Sequence, residues 1–452
     1  MKGGKWVNYF DNNQQNNKIP YDDTPINRSN SKRRKKFSQS IRTSKVTSIF
    51  MVMLIVLNIV LGYCCIHFMN TSRSKVINNY TLELGTSGGT GAGSEIETAY
   101  KTEAYLSSVS VAAGGTCRDE KTFYTSTVYR GSGVIFKVDE DKKTIYFVTC
   151  YHVINGFEDK VWVLLSTSLK PIGVSVVGYS AHHDIAVLKY VSSDLDDTLS
   201  GCKSIKTFDS SYISIGEDVF AIGNSLSSGL SITEGDVSDT NVMIRISGNN
   251  FDTRTIQTSA EINPGNSGGG LFNAKGEFIG LVNAKKHSVN SGSETVTVVG
   301  TAYAIPSNLV IGIADSLIKT KNKPIQVNLG ATFAHDVNDG MRIEYISHDG
   351  VYKPVEVYTV YVKSVAAGSV AHGKLKANDV INAIQFNVVE NGVTKQIKVN
   401  MFNQHLFDYY AFSIIENSVI TFFVKDGTGE RQVQVVASAV ASESIATADS
   451  MN

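Results

Sequence analysis

At 452 residues, with 42% hydrophobic residues and 38 glycines, the chain has enough apolar mass for two or three packed domains and enough turn-formers for a β-rich one. Forty-two basic residues balance forty-two acidic ones, so the formal net charge is zero, which removes any whole-chain electrostatic case for nucleic-acid binding. Two of the five cysteines, Cys64 and Cys65, lie in an apolar run. The other three, Cys117, Cys150 and Cys202, are an odd set that implies no disulfide framework.

Residues 1–45 are rich in Asn, Ser, Lys and Arg and poor in apolar side chains, the composition of a disordered segment. Arg28, Lys32, Arg33, Arg34, Lys35, Lys36, Arg42 and Lys45 precede residues 46–68, whose polar interruptions are Thr47, Ser48, Asn58 and His67. Some twenty mostly apolar residues at about 1.5 Å each span ~30 Å, the thickness of a bilayer's hydrocarbon core. One transmembrane helix is expected there. The basic cluster on its N-terminal side puts 1–45 in the cytoplasm and the rest outside; contact with anionic headgroups is the less economical use of those charges. A cleaved signal peptide fits less well, because the preceding segment is far longer than a signal's n-region. Residues 69–96, with Gly85-Thr86-Ser87-Gly88-Gly89-Thr90-Gly91-Ala92-Gly93, read as a flexible linker.

From 97 onward short apolar or alternating runs recur between turn residues, at 145–149, 161–165, 174–177, 185–190, 219–222, 242–246, 278–282 and 295–299. Many short strands with Gly-rich turns make a barrel or a sandwich. Residues 308–319 carry Leu309, Ile313, Leu317 and Ile318 at helical spacing, which closes this domain at about 324. A second module follows over 325–437, and 438–452 reads as a disordered tail.

The chemistry concentrates in three places. Asn263-Pro264-Gly265-Asn266-Ser267-Gly268-Gly269 sets a serine among glycines, as a nucleophile needs when its own backbone must also bind an oxyanion. A serine hydroxyl is a weak nucleophile and requires an imidazole base, which in turn requires a carboxylate to fix its tautomer. Upstream, His152 follows Phe147-Val148-Thr149-Cys150-Tyr151, and Asp184 precedes Ile185-Ala186-Val187-Leu188. Taken singly, each has a bland reading: a glycine-rich turn, a packed histidine, a turn aspartate beside the pair His182 and His183. The order His, Asp, Ser in these contexts favours His152, Asp184 and Ser267 as a catalytic set. Cys150 reads as packed core. The histidines lack ligand-like partners at a regular spacing, so no metal site is expected.

With Gly131-Ser132-Gly133-Val134-Ile135 before the histidine and Tyr303-Ala304-Ile305-Pro306-Ser307-Asn308 after the serine, the chain from about 105 to 437 resembles the HtrA (DegP/DegS-like) serine proteases. The resemblance implies a mainly β fold: a chymotrypsin-like double six-stranded β-barrel protease domain over 97–324, and a smaller α+β PDZ-like domain over 325–437, preceded by the transmembrane helix. His152 and Asp184 would come from the first barrel and Ser267 from the second, with Gly265, Asn266 and Ser267 forming the oxyanion hole. In the second module, Val360-Tyr361-Val362-Lys363-Ser364-Val365 and Gly373-Lys374-Leu375-Lys376-Ala377-Asn378-Asp379-Val380-Ile381 carry the PDZ resemblance. Its peptide-binding residues would be Leu329, Gly330 and Ala331, its groove helix would lie near 407–415, and 336–358 looks like an insertion.

Two departures bear on regulation and specificity. Asn266 stands where digestive relatives carry an aspartate that pairs with a new N-terminal amine. An amide cannot make that ion pair, so the loops at 225–235 and around Gly265 are expected to order on ligand binding instead. Glu261, six residues before Ser267, stands where trypsin-like enzymes place the acid that selects a basic P1 residue; the family implies a small aliphatic P1, with Glu261 turned to solvent. Gly270 replaces the family's usual proline. The implied function is a membrane-anchored endopeptidase, catalytic part outside the cytoplasm, acting on misfolded or signalling proteins. Unfolded or peptide substrates, C-terminal peptides at the PDZ-like domain and a homotrimer are the implied partners, with no cofactor and no nucleic acid. The competing reading is a peptide-binding scaffold or holdase chaperone.

Overall fold

The computed structural model describes residues 92–441 except 140, 142, 193–201, 246–251, 286–287, 292–293, 298–300, 322, 336–339, 349, 391 and 427–428. The basic tail, the apolar run at 46–68 and most of the linker lie outside the described residues, among which no helix is long and apolar enough to cross a membrane.

Helix α1 (Ala92–Leu106) begins inside the stretch expected to be flexible linker. Its i,i+4 pair Glu97–Lys101 and the burial of Ala104 against the first barrel hold it, and neither is visible in the glycine-rich composition that precedes it.

The first barrel closes from six strands: β1 (Ser108–Ala113), β2 (Tyr129–Asp139), β3 (Thr144–Cys150), β4 (Val161–Leu165), β5 (Ile172–Ser180) and β6 (Ile185–Val191), in the order β1-β2-β3-β6-β5-β4. A short helix, α2 (Glu120–Thr125), opens on a capping box between Asp119 and Thr122. Val109, Val111, Val134, Phe147, Val163, Ile185 and Val187 are fully buried, the β-branched and aromatic residues that fit a pleated surface.

The second barrel comprises β7 (Lys206–Thr207), β8 (Asp218–Gly223), β9 (Ser231–Arg245), β10 (Asp252–Thr258), β11 (Gly270–Asn273), β12 (Glu277–Lys285) and β15 (Ala302–Pro306), with the hairpin β13 (Ser288–Ser291) and β14 (Glu294–Thr297). The order β11-β8-β9-β10-β15-β12 is closed by β11 on β12, a second six-membered ring to which β7 adds in parallel. Helix α3 (Ser307–Thr320) then buries Leu309, Val310, Ile313 and Leu317, and stops at Lys321 in the left-handed region.

The C-terminal module contains β16 (Ile325–Val327), β17 (Ala331–His335), β18 (Arg342–His348), β19 (Val351–Val357), β20 (Val360–Val365), β21 (Val380–Glu390), β22 (Val393–Asn400), α4 (Leu406–Tyr410), β23 (Val419–Asp426), β24 (Gly429–Val436) and β25 (Ala439–Ala441). Its main sheet runs β17-β20-β21-β23-β24, with β22 on β21. Three expectations change here. The tail expected to be disordered from 438 contributes β25, which pairs with β16 (Ile325 opposite Ala441) because the chain's two ends in this module meet. The expected groove helix is a single short turn, α4, that stops before 415. The apparent insertion is the two-sided hairpin β18–β19: one face, with Val355 and Val357, is buried, and the other exposes Ile343, Tyr345 and Tyr352.

That hairpin rests on the second barrel. His348 stacks on Tyr212 at 4.2 Å, Lys353 Nζ reaches Glu217 Oε1 at 2.7 Å, and the same ammonium lies 4.3 Å over the Phe208 ring. Beside it Arg254, only 8% exposed, donates to Asn403 Oδ1 (3.1 Å) and to the Thr240 carbonyl (3.2 Å) and sits 4.7 Å over Tyr409. Tyr410 donates to Asp209 Oδ2 at 2.7 Å. The C-terminal module is thus held on the second barrel by polar as well as aromatic contacts.

Candidate active site

β3 ends at Cys150 and the chain turns through a single 3₁₀ turn, Tyr151–Val153, that carries His152. Cys150 pairs with Ile185 at the start of β6, so the residue before Ile185 faces that turn. This is Asp184, held at φ 56°, a conformation aspartate tolerates better than most residues. Its backbone carbonyl accepts from Tyr151 N–H (3.0 Å), its Oδ1 from His152 N–H (2.7 Å), and its Oδ2 lies 2.6 Å from His152 Nδ1. An ionised carboxylate only accepts, so Nδ1 carries the proton and Nε2 presents its lone pair. The Asp184 side chain is 3% exposed and the His152 side chain 44%, a buried orienter behind an accessible imidazole.

Asn283, on β12 of the second barrel, was not singled out by its sequence context and proves central. Its Nδ2 donates to Asp184 Oδ2 at 2.7 Å, so the buried carboxylate receives donors from both barrels, which offsets its desolvation. The only signal was a polar residue directly after the apolar strand segment 278–282. Cys150 is fully buried, with Sγ toward the Val282 carbonyl (3.4 Å), and burial pushes its thiol well up from the usual range, as expected of packed core. Ligand-type atoms of Cys150, His152 and Asp184 lie within 4.8 Å of one another. The carboxylate oxygens, however, already take the His152 N–H, His152 Nδ1–H and Asn283 donors, and the thiol stays protonated, so the trio suits proton handling better than metal ligation.

Ser267 sits in the loop between β10 and β11. Its Oγ donates to the Asn283 carbonyl at 3.0 Å, and among the described residues no hydrogen bond joins it to the His152 ring. The loop peptides are individually pinned: Leu226 N–H donates to the Pro264 carbonyl (2.8 Å), Ser132 Oγ to the Gly265 carbonyl (2.7 Å) and Gly269 N–H to the Asn266 carbonyl (2.9 Å). Asn266 N–H donates to the Asn263 carbonyl (3.0 Å), so of the three expected oxyanion residues Asn266 has no N–H to offer. Among the described residues the N–H groups of Gly265 and Ser267 have no acceptor. Gly265 must be glycine: φ is +102°, and a Cβ there would lie 2.2 Å from the Asn224 carbonyl oxygen.

Glu261 is exposed and accepts from Asn263 Nδ2 at 3.1 Å. The expected peptide-binding loop is less open. Leu329 is 1% exposed and belongs to the core, so its side chain lines no groove. Gly330 N–H donates to Asn328 Oδ1 (2.7 Å), an internal acceptor that a peptide carboxylate would have to displace. Ala331 opens β17 opposite Val365, and further along that strand Phe333 packs on Phe407 while His335 N–H donates to Gln404 Oε1.

Residues 131–281 match the trypsin-like peptidase domain family. The Do-like serine protease HtrA of Lactococcus lactis subsp. cremoris (strain MG1363) is 37% identical over 276 residues, covering 59% of this chain and 63% of that protein. The Do-like HtrA of Bacillus subtilis (strain 168) is 34% identical over 268 residues, 58% of this chain and 55% of that protein. The chain thus spans less than two thirds of the length of these curated relatives. Among solved structures, the serine endoprotease from Yersinia pestis is similar with a TM-score of 0.42 and 22% identity, over 78% of this chain and 100% of that one. The chain thus carries a match to the trypsin-like peptidase domain over residues 131–281 and is similar to Do-like HtrA serine proteases over 58–59% of its length.

Proposed function

We propose that His152, Asp184 and Ser267 are the catalytic triad of a membrane-tethered endopeptidase that acts outside the cytoplasm on unfolded or signalling proteins. The observation that carries this reading is the 2.6 Å contact of His152 Nδ1 with buried Asp184, facing a loop whose Gly265 and Ser267 N–H groups lack acceptors. In the reaction, Ser267 Oγ attacks the scissile carbonyl carbon while Nε2 of His152 takes its proton, and Asp184 stabilises the imidazolium. The carbonyl oxygen, now an oxyanion, accepts from Gly265 and Ser267 N–H. The imidazolium then protonates the leaving amine, which departs as the acyl-enzyme forms. Water, deprotonated by His152, attacks the acyl carbon, and the imidazolium returns that proton to Ser267 Oγ as the acyl–oxygen bond breaks and the acid leaves.

Ser267 begins this sequence bonded to the Asn283 carbonyl, so its side chain must swing toward His152 before attack. That resting contact supports a switched enzyme, in which peptide at the PDZ-like module or at the cleft shifts a pre-existing equilibrium. The membrane tether rests on the apolar run at 46–68 with its basic flank, and a homotrimer on the resemblance.

The test is fluorophosphonate labelling of the full chain in detergent, with and without unfolded protein, beside Ser267→Ala. Labelling that vanishes in the variant supports the proposal. No labelling under any condition would sink it in favour of the scaffold or holdase.

A further inference from the structure

Ser132 lies on β2 of the first barrel and is fully buried, yet its polar groups all face the catalytic loop and its supports. Its Oγ donates to the Gly265 carbonyl (2.7 Å) and accepts from Asn224 N–H (2.8 Å). Its own N–H donates to the Ser267 carbonyl (2.8 Å), and its carbonyl accepts from Thr149 Oγ1 (2.6 Å) on the strand leading to His152. The surroundings are close-packed: a Cβ on Gly223 would lie 3.0 Å from Ser132 Oγ, and one on Gly269 would lie 3.2 Å from Ser132 Cβ.

We propose that Ser132 is a positioning residue for the oxyanion hole, one hydroxyl fixing the peptides on both sides of Gly265. The proposal rests on the triad reading above. The peptide after Gly265 is held directly, through its carbonyl. The peptide before it carries the Gly265 N–H and is held through the Pro264 carbonyl by Leu226 N–H, in the turn that begins at Asn224. Ser132 accepts from that same Asn224 N–H. Glycine has little conformational preference of its own, so these outside bonds decide where its N–H points. Arg130, two residues earlier, steadies the other side of the turn, its Nε donating to Ser227 Oγ at 3.1 Å.

The experiment uses the full chain in detergent and compares wild type with Ser132→Ala and Ser132→Cys. Three quantities are read: the rate of Ser267 phosphonylation by a fluorophosphonate, whose phosphoryl oxygen occupies the hole; the low-field proton resonance of His152 Nδ1–H; and the thermal midpoint. Because losing a whole oxyanion donor typically costs roughly 100- to 1000-fold, loosening the Gly265 donor without removing it should slow Ser132→Ala by about 10- to 100-fold. The resonance should persist, and Ser132→Cys, which keeps a weak donor, should fall between. If the alanine variant does not fold, the cysteine variant decides by the same readouts. Labelling within twofold of wild type would overturn the role, as would a loss that tracks the resonance and the thermal midpoint. An unreactive wild type, by contrast, overturns the triad reading itself and this role with it.

Discussion

Asn283 touches two of the three candidate catalytic residues at once: its backbone carbonyl accepts from Ser267 Oγ at 3.0 Å, and its side-chain amide donates to Asp184 Oδ2 at 2.7 Å. One residue on β12 therefore bridges the candidate nucleophile and the candidate orienting carboxylate across the two barrels. Asn283→Ala removes only the side-chain bond, so the resting contact of Ser267 is kept. A hydrogen bond to a charged group is worth about 1.5–3 kcal/mol, so kcat should fall by roughly 10- to 100-fold with KM nearly unchanged. Steady-state kinetics on a fluorogenic peptide checks this, and an equal loss in both parameters would count against an orienting role.

Gly265→Ala is expected to fold and to lose most activity. The added methyl would meet the Asn224 carbonyl oxygen at 2.2 Å, and the loop must move to relieve it. Misplacing an oxyanion donor costs roughly 100- to 1000-fold in rate, whereas Ser267→Ala or His152→Ala should cost on the order of a million-fold. Fluorophosphonate labelling, with circular dichroism as the folding control, ranks the three.

Arg254 anchors the C-terminal module to the second barrel, and burial pushes its guanidinium below the usual range. Arg254→Ala leaves Asn403 and the Thr240 carbonyl short of a donor and uncovers Tyr409, at a cost of about 2–4 kcal/mol. Arg254→Met keeps the apolar stem and abolishes the desolvated charge, so it should cost less. Denaturant melts of the full chain decide, and equal losses for the two would show that the charge itself matters.

His183 packs edge-on against Phe412 at 5.4 Å and bonds Ser180 Oγ at 3.0 Å, and burial pushes its pKa down to about 3. With a folded pKa below the ordinary value of about 6.5, its contribution to stability is complete above pH 6.5 and is lost as the pH falls toward 3. The expected slope is at most about 1.4 kcal/mol per pH unit in that window. Thermal melts between pH 7 and pH 4 should show it, and His183→Gln should flatten it.

Much of the architecture was legible because strand periodicity is set by neighbouring residues. The runs at 161–165 and 185–190 fall within β4 and β6, and 308–319 within α3. The helical start at Ala92 and the strand at 439–441 were not legible, since each is stabilised by partners far along the chain rather than by its own composition. The buried packing of Cys150 was read correctly from its place two residues before His152.

By itself the sequence determined the order of His152, Asp184 and Ser267, the glycine that permits φ of +102° at position 265, and the resemblance that predicts what they do. Only the tertiary structure decided that Asn266 N–H is taken up inside the loop, that Ser267 rests on Asn283, and that Ser132 ties the Gly265 loop to the first barrel. The reason is physical. A motif records which atoms are available, but a hydrogen bond between residues 133 positions apart exists only once both barrels have closed and desolvated it.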